Sequence, residues 1–268
     1  MNEKGGSLPS FFSRENALRL FWAYASRYDT GNGKIRLKID HMLRVADLCA
    51  TFARQIGLAE RDEDQAWLIG LLHDIGRFEQ VKKYDTFLDG KSENHALLGV
   101  KEIKKERLAE RMAMTDACNE TICTAIACHN MLALPAMDER KLLFAKLLRD
   151  ADKVDIFYVR IHDPLEDVLP GKREEIEAGV VSKEVMDCFA RHVQVPSNVR
   201  KSTLDLWVSV LAFVFDINYA PAFRHVKEQR LLPRMIQRIA IVNEEGARQA
   251  RLIEEEVCGY VERRINGE

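Results

Sequence analysis

The stretch that decides the fold is Leu71-Leu72-His73-Asp74-Ile75-Gly76-Arg77. An apolar run, Trp67–Leu72, leads into it and indicates a buried helix. Gly76 is the type of residue that commonly ends a helix, so the pattern predicts that His73 and Asp74 lie at a helix end. Neighbouring side chains on a helix point about 100° apart. The pair is therefore able to approach one metal ion from two sides, or to let Asp74 reach a second ion.

A second His-Asp pair, His162-Asp163, shows that the dipeptide by itself carries little information. Pro164 follows it, and a proline disfavours helix for the residue before it. The sequence therefore predicts a turn or a helix start at His162-Asp163 rather than a site. The chain has 7 histidines in total. Whether His73 and Asp74 form a site depends on the others.

The composition indicates an ordinary globular protein. The chain has 268 residues, of which 47% are hydrophobic and 31% are charged, enough to bury a sizeable core. The net charge of -2 gives no electrostatic surface for nucleic acid or for a membrane. We therefore expect neither of them as a partner.

Three features predict a cytoplasmic location. Met1–Ser10 lacks the apolar segment of a signal peptide. The longest apolar run, Leu206–Phe215, is too short to span a bilayer and predicts a core helix. The six cysteines show no Cys-x-x-Cys spacing, so we expect small buried side chains in a reducing compartment.

Apolar residues recur at helical spacing along most of the chain, and no convincing alternating strand pattern appears, so the sequence predicts an all-α fold. The predicted helices are Phe11–Tyr28, Lys38–Ile56, one from Asp62 that carries His73, Asn94–Met114, Asp116–His129, Asp138–Asp155, Val181–His192, Lys201–Asp216, Pro221–Glu228 and Pro233–Asn266. The polar stretch His162–Gly179 suggests a boundary. We expect a metal-binding helical core over residues 1–160 and a C-terminal helical extension over 161–268, packed on the same domain.

Six ligand-type residues fall on the apolar sides or at the ends of five successive predicted helical segments. They are His41, His73, Asp74, His95, His129 and Asp152. Each has an ordinary alternative, such as a core position for His41 or a cation at a helix C-terminus for His129. Together, in this order, they predict a metal site. We assign no ligand role to His162, His192 or His225.

This order and its flanking residues resemble the HD superfamily of metal-dependent phosphohydrolases, an all-α fold. The superfamily signature is a single His, a His-Asp pair and a later Asp, with two further His before that Asp in many members. The resemblance covers roughly residues 35–160 and is carried by Asp40–Ala46, His73–Arg77, Asn94–Gly99, Ala127–Asn130 and Leu148–Asp155. It implies an HD-domain helical bundle with additional C-terminal helices. The C-terminal third carries no motif that we recognise.

Imidazoles and carboxylates favour first-row divalent ions, and the absence of cysteine ligands argues against a structural zinc site. Six ligands are too many for one catalytic ion that needs open positions, but they suit two ions. We expect two divalent ions, with Mn, Fe, Mg, Ni, Co and Zn as candidates. The resemblance implies that one ion is held by His41, His73, Asp74 and Asp152 and the other by His95 and His129, with Asp74 bridging both.

Two ions about 3.5–4 Å apart lower the pKa of a shared water and clamp the attacking and leaving oxygens. We predict that a bridging hydroxide attacks a small phosphorylated substrate, either a phosphomonoester or a phosphodiester, with nucleotides among the candidates. Arg77 and Lys153 are predicted to balance charge on the phosphoryl oxygens, a surface salt bridge being the alternative for each. Asp150 or Asp155 is predicted to orient a ligand histidine.

Two other functions fit the same residues. HD-fold di-iron oxygenases share the ligand pattern but cleave C–C or C–P bonds with O₂, and a metal-stabilised helical module that binds a ligand would be non-catalytic. Asn130, which follows His129 in place of a second histidine, argues against the cyclic-dinucleotide phosphodiesterases. The loop Lys82–Asn94 is predicted to form a substrate wall. The sequence leaves the substrate, the metal and the oligomeric state open.

Overall fold

The computed structural model describes residues 12–112, 115–169 and 171–267. These residues form helices and connecting segments, with no strand among them, which confirms the predicted all-α fold. Phe11 and Met114, where two predicted helices begin and end, lie outside the described residues. Within the described part of the chain, every helix is too short or too polar to cross a bilayer.

The chain divides into two compact units, residues 1–148 and 149–268. The helices of the first unit are α1 (Arg14–Ala25), α2 (Gly33–Gln55), α3 (Glu60–Leu72), α4 (Gly76–Tyr84), α5 (His95–Glu106), α6 (Leu108–Arg111), α7 (Asp116–Cys128) and the first part of α8 (Glu139–His162). A short 3-10 helix covers Asp89–Lys91.

Side-chain caps set where several of these helices begin. Ser13 accepts the backbone N–H of Asn16 at the start of α1, as its position in the sequence predicts. Asn32 accepts the N–H of Lys34, and α2 therefore begins at Gly33 rather than at the predicted Lys38. Asn94 caps α5 in the same way. This cap makes His95 the first residue of its helix.

α2 and α3 pack closely because Gly70 has no side chain. A Cβ added to Gly70 would lie 2.7 Å from the Cα atom and 2.8 Å from the backbone nitrogen of Ala46. Since neither backbone atom is able to rotate away, only glycine permits this approach. The close packing brings His41 on α2 up to His73 at the end of α3.

The prediction that Gly76 ends a helix is wrong. Gly76 is the first residue of α4, and α3 ends at Leu72, before His73. A Cβ at Gly76 would lie 2.3 Å from the carbonyl oxygen of His95 and 2.4 Å from the backbone nitrogen of Gly99. The glycine is therefore needed because the backbone of α5 passes against the start of α4.

In the described residues of the second unit, the remainder of α8 is followed by seven further helices. These are α9 (Leu165–Val168), α10 (Arg173–Glu177), α11 (Lys183–Ala190), α12 (Thr203–Val208), α13 (Ala220–Glu228), α14 (Leu231–Gln237) and α15 (Glu244–Asn266), with 3-10 helices at Ser197–Val199 and Leu211–Asp216. The single helix predicted over Lys201–Asp216 is thus two, as is the one predicted over Pro233–Asn266. The turn predicted at His162-Asp163 lies at Asp163, because α8 continues to His162 and the next helix begins at Leu165.

Candidate metal centre

Asp74 lies at the centre of a buried cluster in the first unit. It sits in the turn between α3 and α4, and only 2% of its surface is exposed. Its Oδ2 atom is 3.7 Å from Nε2 of His41 and 3.6 Å from Nε2 of His73. Its Oδ1 atom is 3.4 Å from Nε2 of His95 and 3.7 Å from Nε2 of His129. Each carboxylate oxygen therefore faces one pair of imidazoles.

His73 and His129 are held in the same way, each at the C-terminal cap of its helix. Nδ1 of His73 donates to the carbonyl of Gly70 at 2.8 Å, and Nδ1 of His129 donates to the carbonyl of Ile126 at 2.7 Å. A carbonyl oxygen only accepts, so the ring proton must sit on Nδ1 in both histidines. In the neutral ring, Nε2 then presents its lone pair toward Asp74.

His95 takes up the same tautomer with a different partner. Its Nδ1 donates to the carboxylate of Asp89, at 2.7 Å from Oδ2 and 2.9 Å from Oδ1. Burial lowers the pKa of His95, against the opposing effect of the hydrogen bond to Asp89. The ring is therefore held neutral, with Nε2 as an acceptor.

When both rings are neutral, these tautomers place two lone pairs face to face. Nε2 of His95 lies 3.0 Å from Nε2 of His129, although both rings carry their proton on Nδ1. Oδ1 of Asp74, which faces both nitrogens, is buried and accepts no hydrogen bond from the described residues, although Nε of Arg77 forms an ion pair with it at 3.5 Å. A cation placed among these atoms would satisfy all of them.

The spacing of the donors fits ions as well. Two nitrogens bound about 2.0–2.1 Å from one ion, at angles of 90–110°, lie roughly 2.9–3.4 Å apart. The Nε2 atoms of His41 and His73 are 3.2 Å apart, and those of His95 and His129 are 3.0 Å apart. His73, Asp74 and His129 also offer ligand atoms that all lie within 4.8 Å of one another. The first unit thus brings five of the six predicted ligands together with the spacing of a metal centre.

Asp74 is kept ionised by two cations beside it. Burial by itself would raise its pKa, but the charges around it, Lys38 foremost and Arg77 among them, hold that pKa well below its usual value. Nζ of Lys38 is 2.6 Å from Oδ2, and Nε of Arg77 is 3.5 Å from Oδ1. A charged carboxylate at this position is a ready ligand for a divalent ion.

The sequence reasoning missed Lys38 as part of this site. Lys38 precedes His41 by three residues on α2, so the two side chains share one face of the helix. That spacing was available in the sequence. Because lysines on helix surfaces are common and usually solvated, the spacing alone gave no reason to select this one.

Arg77 is engaged mainly with the loop that follows α4. Its Nη1 atom donates to Oε1 of Gln80 and to the carbonyl of Phe87, both at 2.7 Å, and lies 3.2 Å from Oδ1 of Asp89. The predicted loop Lys82–Asn94 is in part helical, since α4 extends to Tyr84 and a 3-10 turn follows. The charge-balancing role of Arg77 stays a prediction.

The remaining predicted residues belong to the second unit. Asp152 lies on α8 with 9% of its surface exposed, and its ligand role stays a prediction. Nζ of Lys153 is 2.9 Å from Oδ2 of Asp216, the same oxygen that Arg149 approaches to 2.6 Å. The predicted role of Lys153 at a phosphoryl group is likewise untested. For Asp150, burial raises the pKa to about 7, against the effect of the hydrogen bonds that it accepts from the second unit.

Two histidines to which we assigned no ligand role have other partners within the second unit. Nδ1 of His162 donates to the carbonyl of Tyr158, and its Nε2 accepts from Arg234. Nε2 of His192 pairs with Glu256 at 2.5 Å. These contacts account for both side chains without a metal.

Comparison with known proteins gives one match. The model of the family described as HD domain matches residues 39–156, a segment that contains all six predicted ligands. Neither the curated proteins nor the solved structures gave a match to the chain. The segment after residue 156 lies outside the matched region.

Proposed function

We propose that the protein is a metal-dependent phosphohydrolase that cleaves a small phosphomonoester or phosphodiester, with nucleotides among the candidate substrates, because residues 39–156 match the model of the HD-domain family. HD domains imply membership of a superfamily of metal-dependent hydrolases, and the His/Asp cluster is compatible with metal binding. The observation that carries the proposal is the arrangement around Asp74, whose two oxygens each face one pair of imidazoles.

We assign the candidate ligands to two ions. His41, His73 and Oδ2 of Asp74 would hold the first, with Asp152 in its predicted place as a further ligand. His95, His129 and Oδ1 of Asp74 would hold the second. When bound, such ions supply Lewis acidity toward phosphoryl oxygens and make water a competent nucleophile at neutral pH.

Two cations of the chain lie beside the proposed centre. Lys38 and Arg77 both lie beside Asp74, and both also flank the ring of Phe87, at 5.4 Å and 5.5 Å from its centroid. Nε of Arg77 is buried and has no hydrogen-bond acceptor among the described residues. We assign to both cations the stabilisation of negative charge on the phosphoryl oxygens.

The direct test is hydrolysis of p-nitrophenyl phosphate and bis-p-nitrophenyl phosphate by purified protein. The metal content would be measured by elemental analysis, and the assay would be repeated with added Mn²⁺, Zn²⁺, Mg²⁺, Ni²⁺, Co²⁺ or Fe²⁺. A panel of nucleotides then narrows the substrate class. Failure to turn over any phosphoester with any of these ions would contradict the proposal.

Replacing His95 by alanine is expected to remove the second ion and to leave the first in place. Loss of an outer partner of a ligand typically costs about 10–100-fold in metal affinity, so loss of the ligand itself should cost at least about a hundredfold. Equilibrium dialysis with elemental analysis measures both ions. The control is His162→Ala, which removes a histidine outside the cluster. Retention of two tightly bound ions in His95→Ala would contradict the assignment.

Replacing Lys38 by methionine should change metal affinity and turnover in opposite directions. The ammonium and a divalent ion compete for Oδ2 of Asp74 and repel each other, so its removal is expected to raise the affinity for the first ion by roughly tenfold. Loss of a cation beside the phosphoryl group should lower kcat/KM by about tenfold or more. A titration with Mn²⁺ and steady-state kinetics measure the two effects. A fall in both quantities would indicate instead that Lys38 supports the fold of the site.

A further inference from the structure

We propose that Asp89 is a positioning residue that couples the loop Asp85–Asn94 to the second ion. This inference rests on the two-ion centre proposed above. It adds that the loop and the ion stabilise each other through a single carboxylate. The predicted substrate wall would then be held more firmly when the centre is loaded.

Asp89 connects the loop to four side chains from three other parts of the chain. Its carboxylate accepts from Nδ1 of His95 at 2.7 Å and 2.9 Å, from Nη1 of Arg77 at 3.2 Å and from Nε2 of Gln80 at 2.9 Å. Nδ2 of Asn130, the residue after His129, approaches it to 3.2 Å. One carboxylate thus joins the loop to α4, to the first residue of α5 and to the segment that follows α7.

Gln80 extends this connection along the loop. It is fully buried on α4, and its Nε2 atom lies 2.8 Å from Oγ of Ser92 and 3.0 Å from the carbonyl of Glu93. Its Oε1 atom accepts from Arg77, which also holds the carbonyl of Phe87. The loop is therefore tied down at both ends through side chains that converge on Asp89.

The hydrogen bond from His95 to Asp89 gives the coupling its physical basis. A carboxylate that accepts the Nδ1–H of a ligand histidine fixes the ring and makes Nε2 a stronger ligand. An ion at Nε2 draws electron density from the ring, which makes Nδ1–H a stronger donor to Asp89. Ion binding therefore strengthens the contact that holds the loop. Because coupling between two binding events is reciprocal, an ordered loop must strengthen ion binding by the same factor.

The first measurement is a Mn²⁺ titration of Asp89→Ala, Asp89→Asn and a matched control, Glu93→Gln. Glu93 is an acidic residue of the same loop whose side chain contacts Tyr84 and Lys83 rather than a histidine. We expect Asp89→Ala to bind the second ion about 10–100-fold more weakly and to leave the first nearly unchanged. Asp89→Asn should lose less affinity for the second ion, because its amide oxygen still accepts the Nδ1–H of His95. Glu93→Gln should match the wild type.

The second measurement is amide hydrogen exchange of residues 85–94 with and without Mn²⁺. Mn²⁺ should protect the loop in the wild type and in Glu93→Gln, and this protection should be lost in Asp89→Ala. The coupling would be overturned, but not the two-ion centre, if Asp89→Ala bound both ions with wild-type affinity. The same would follow if Mn²⁺-dependent protection survived in that variant. A wild-type protein that binds no second ion would overturn the proposed centre, and the coupling with it.

Discussion

Replacing Asp74 by asparagine is expected to remove bound metal from both halves of the centre and to reduce hydrolysis by at least about a thousandfold. Loss of one donor to a transition state typically costs about 10²–10³ in kcat, whereas Asp74 is the residue shared by both proposed ions. Asparagine keeps the size of the side chain, so the loss would follow from the missing charge and from the amide nitrogen. Elemental analysis of the purified variant and the phosphoester assay measure the two effects.

The control for this variant is Asp40→Asn on α2. Asp40 is exposed and lies next to His41 in the sequence, so the variant removes an equal charge close to the centre without removing a ligand. It is expected to retain both ions and full activity. If Asp74→Asn kept two ions per chain, Asp74 would not bridge them, and the division of the ligands into two pairs would be wrong.

Replacing Gly76 by alanine is expected to lower the stability of the first unit by about 3 kcal/mol or more. Overpacking a well-packed interior typically costs about 1–3 kcal/mol, occasionally more, and here the added Cβ would meet two backbone atoms at 2.3 Å and 2.4 Å. Since neither atom belongs to a flexible side chain, α5 has to move. For a unit of this size, a loss of that magnitude corresponds to a fall in Tm of roughly 6–12 °C.

The same substitution should also weaken binding of the second ion, because one of the two atoms that the added Cβ would meet is the carbonyl oxygen of His95 itself. The control is Gly90→Ala, where an added Cβ has nothing within 4 Å. Thermal unfolding and a Mn²⁺ titration of both variants give the comparison. An unchanged Tm for Gly76→Ala would mean that α4 and α5 are not held as closely as the structure places them.

The helices could be predicted because their signals are local. Ser13 before an apolar periodic segment, and acidic residues at the start of α3, act on the residues beside them. Where the prediction for Gly76 failed, the deciding contact was not local. The sequence shows a glycine after a helix, but the backbone of α5 that requires it comes about twenty residues later.

The same distinction applies to the candidate centre. The candidate ligands could be selected because imidazoles and carboxylates recur in one order along successive helices, and four imidazoles meet around Asp74. Lys38 and Asp89 were not selected, because charged residues on a helix or in a loop are usually solvated. Only the tertiary structure shows that the ammonium of Lys38 pairs with Asp74 and that the carboxylate of Asp89 accepts a hydrogen bond from Nδ1 of His95.

His73 and His129 each lie at the C-terminal end of a helix, and Nδ1 of each donates to the carbonyl three residues earlier. This arrangement affects how related proteins are able to differ in loop length. The direction in which each Nε2 atom points is fixed by the last turn of its helix and not by the segment that follows the helix. One residue inserted within α7 would rotate His129 by about 100° and advance it by about 1.5 Å. Residues inserted after Asn130 would leave the imidazole in place, so the length of the loop that follows is free to vary while the arrangement around Asp74 is kept.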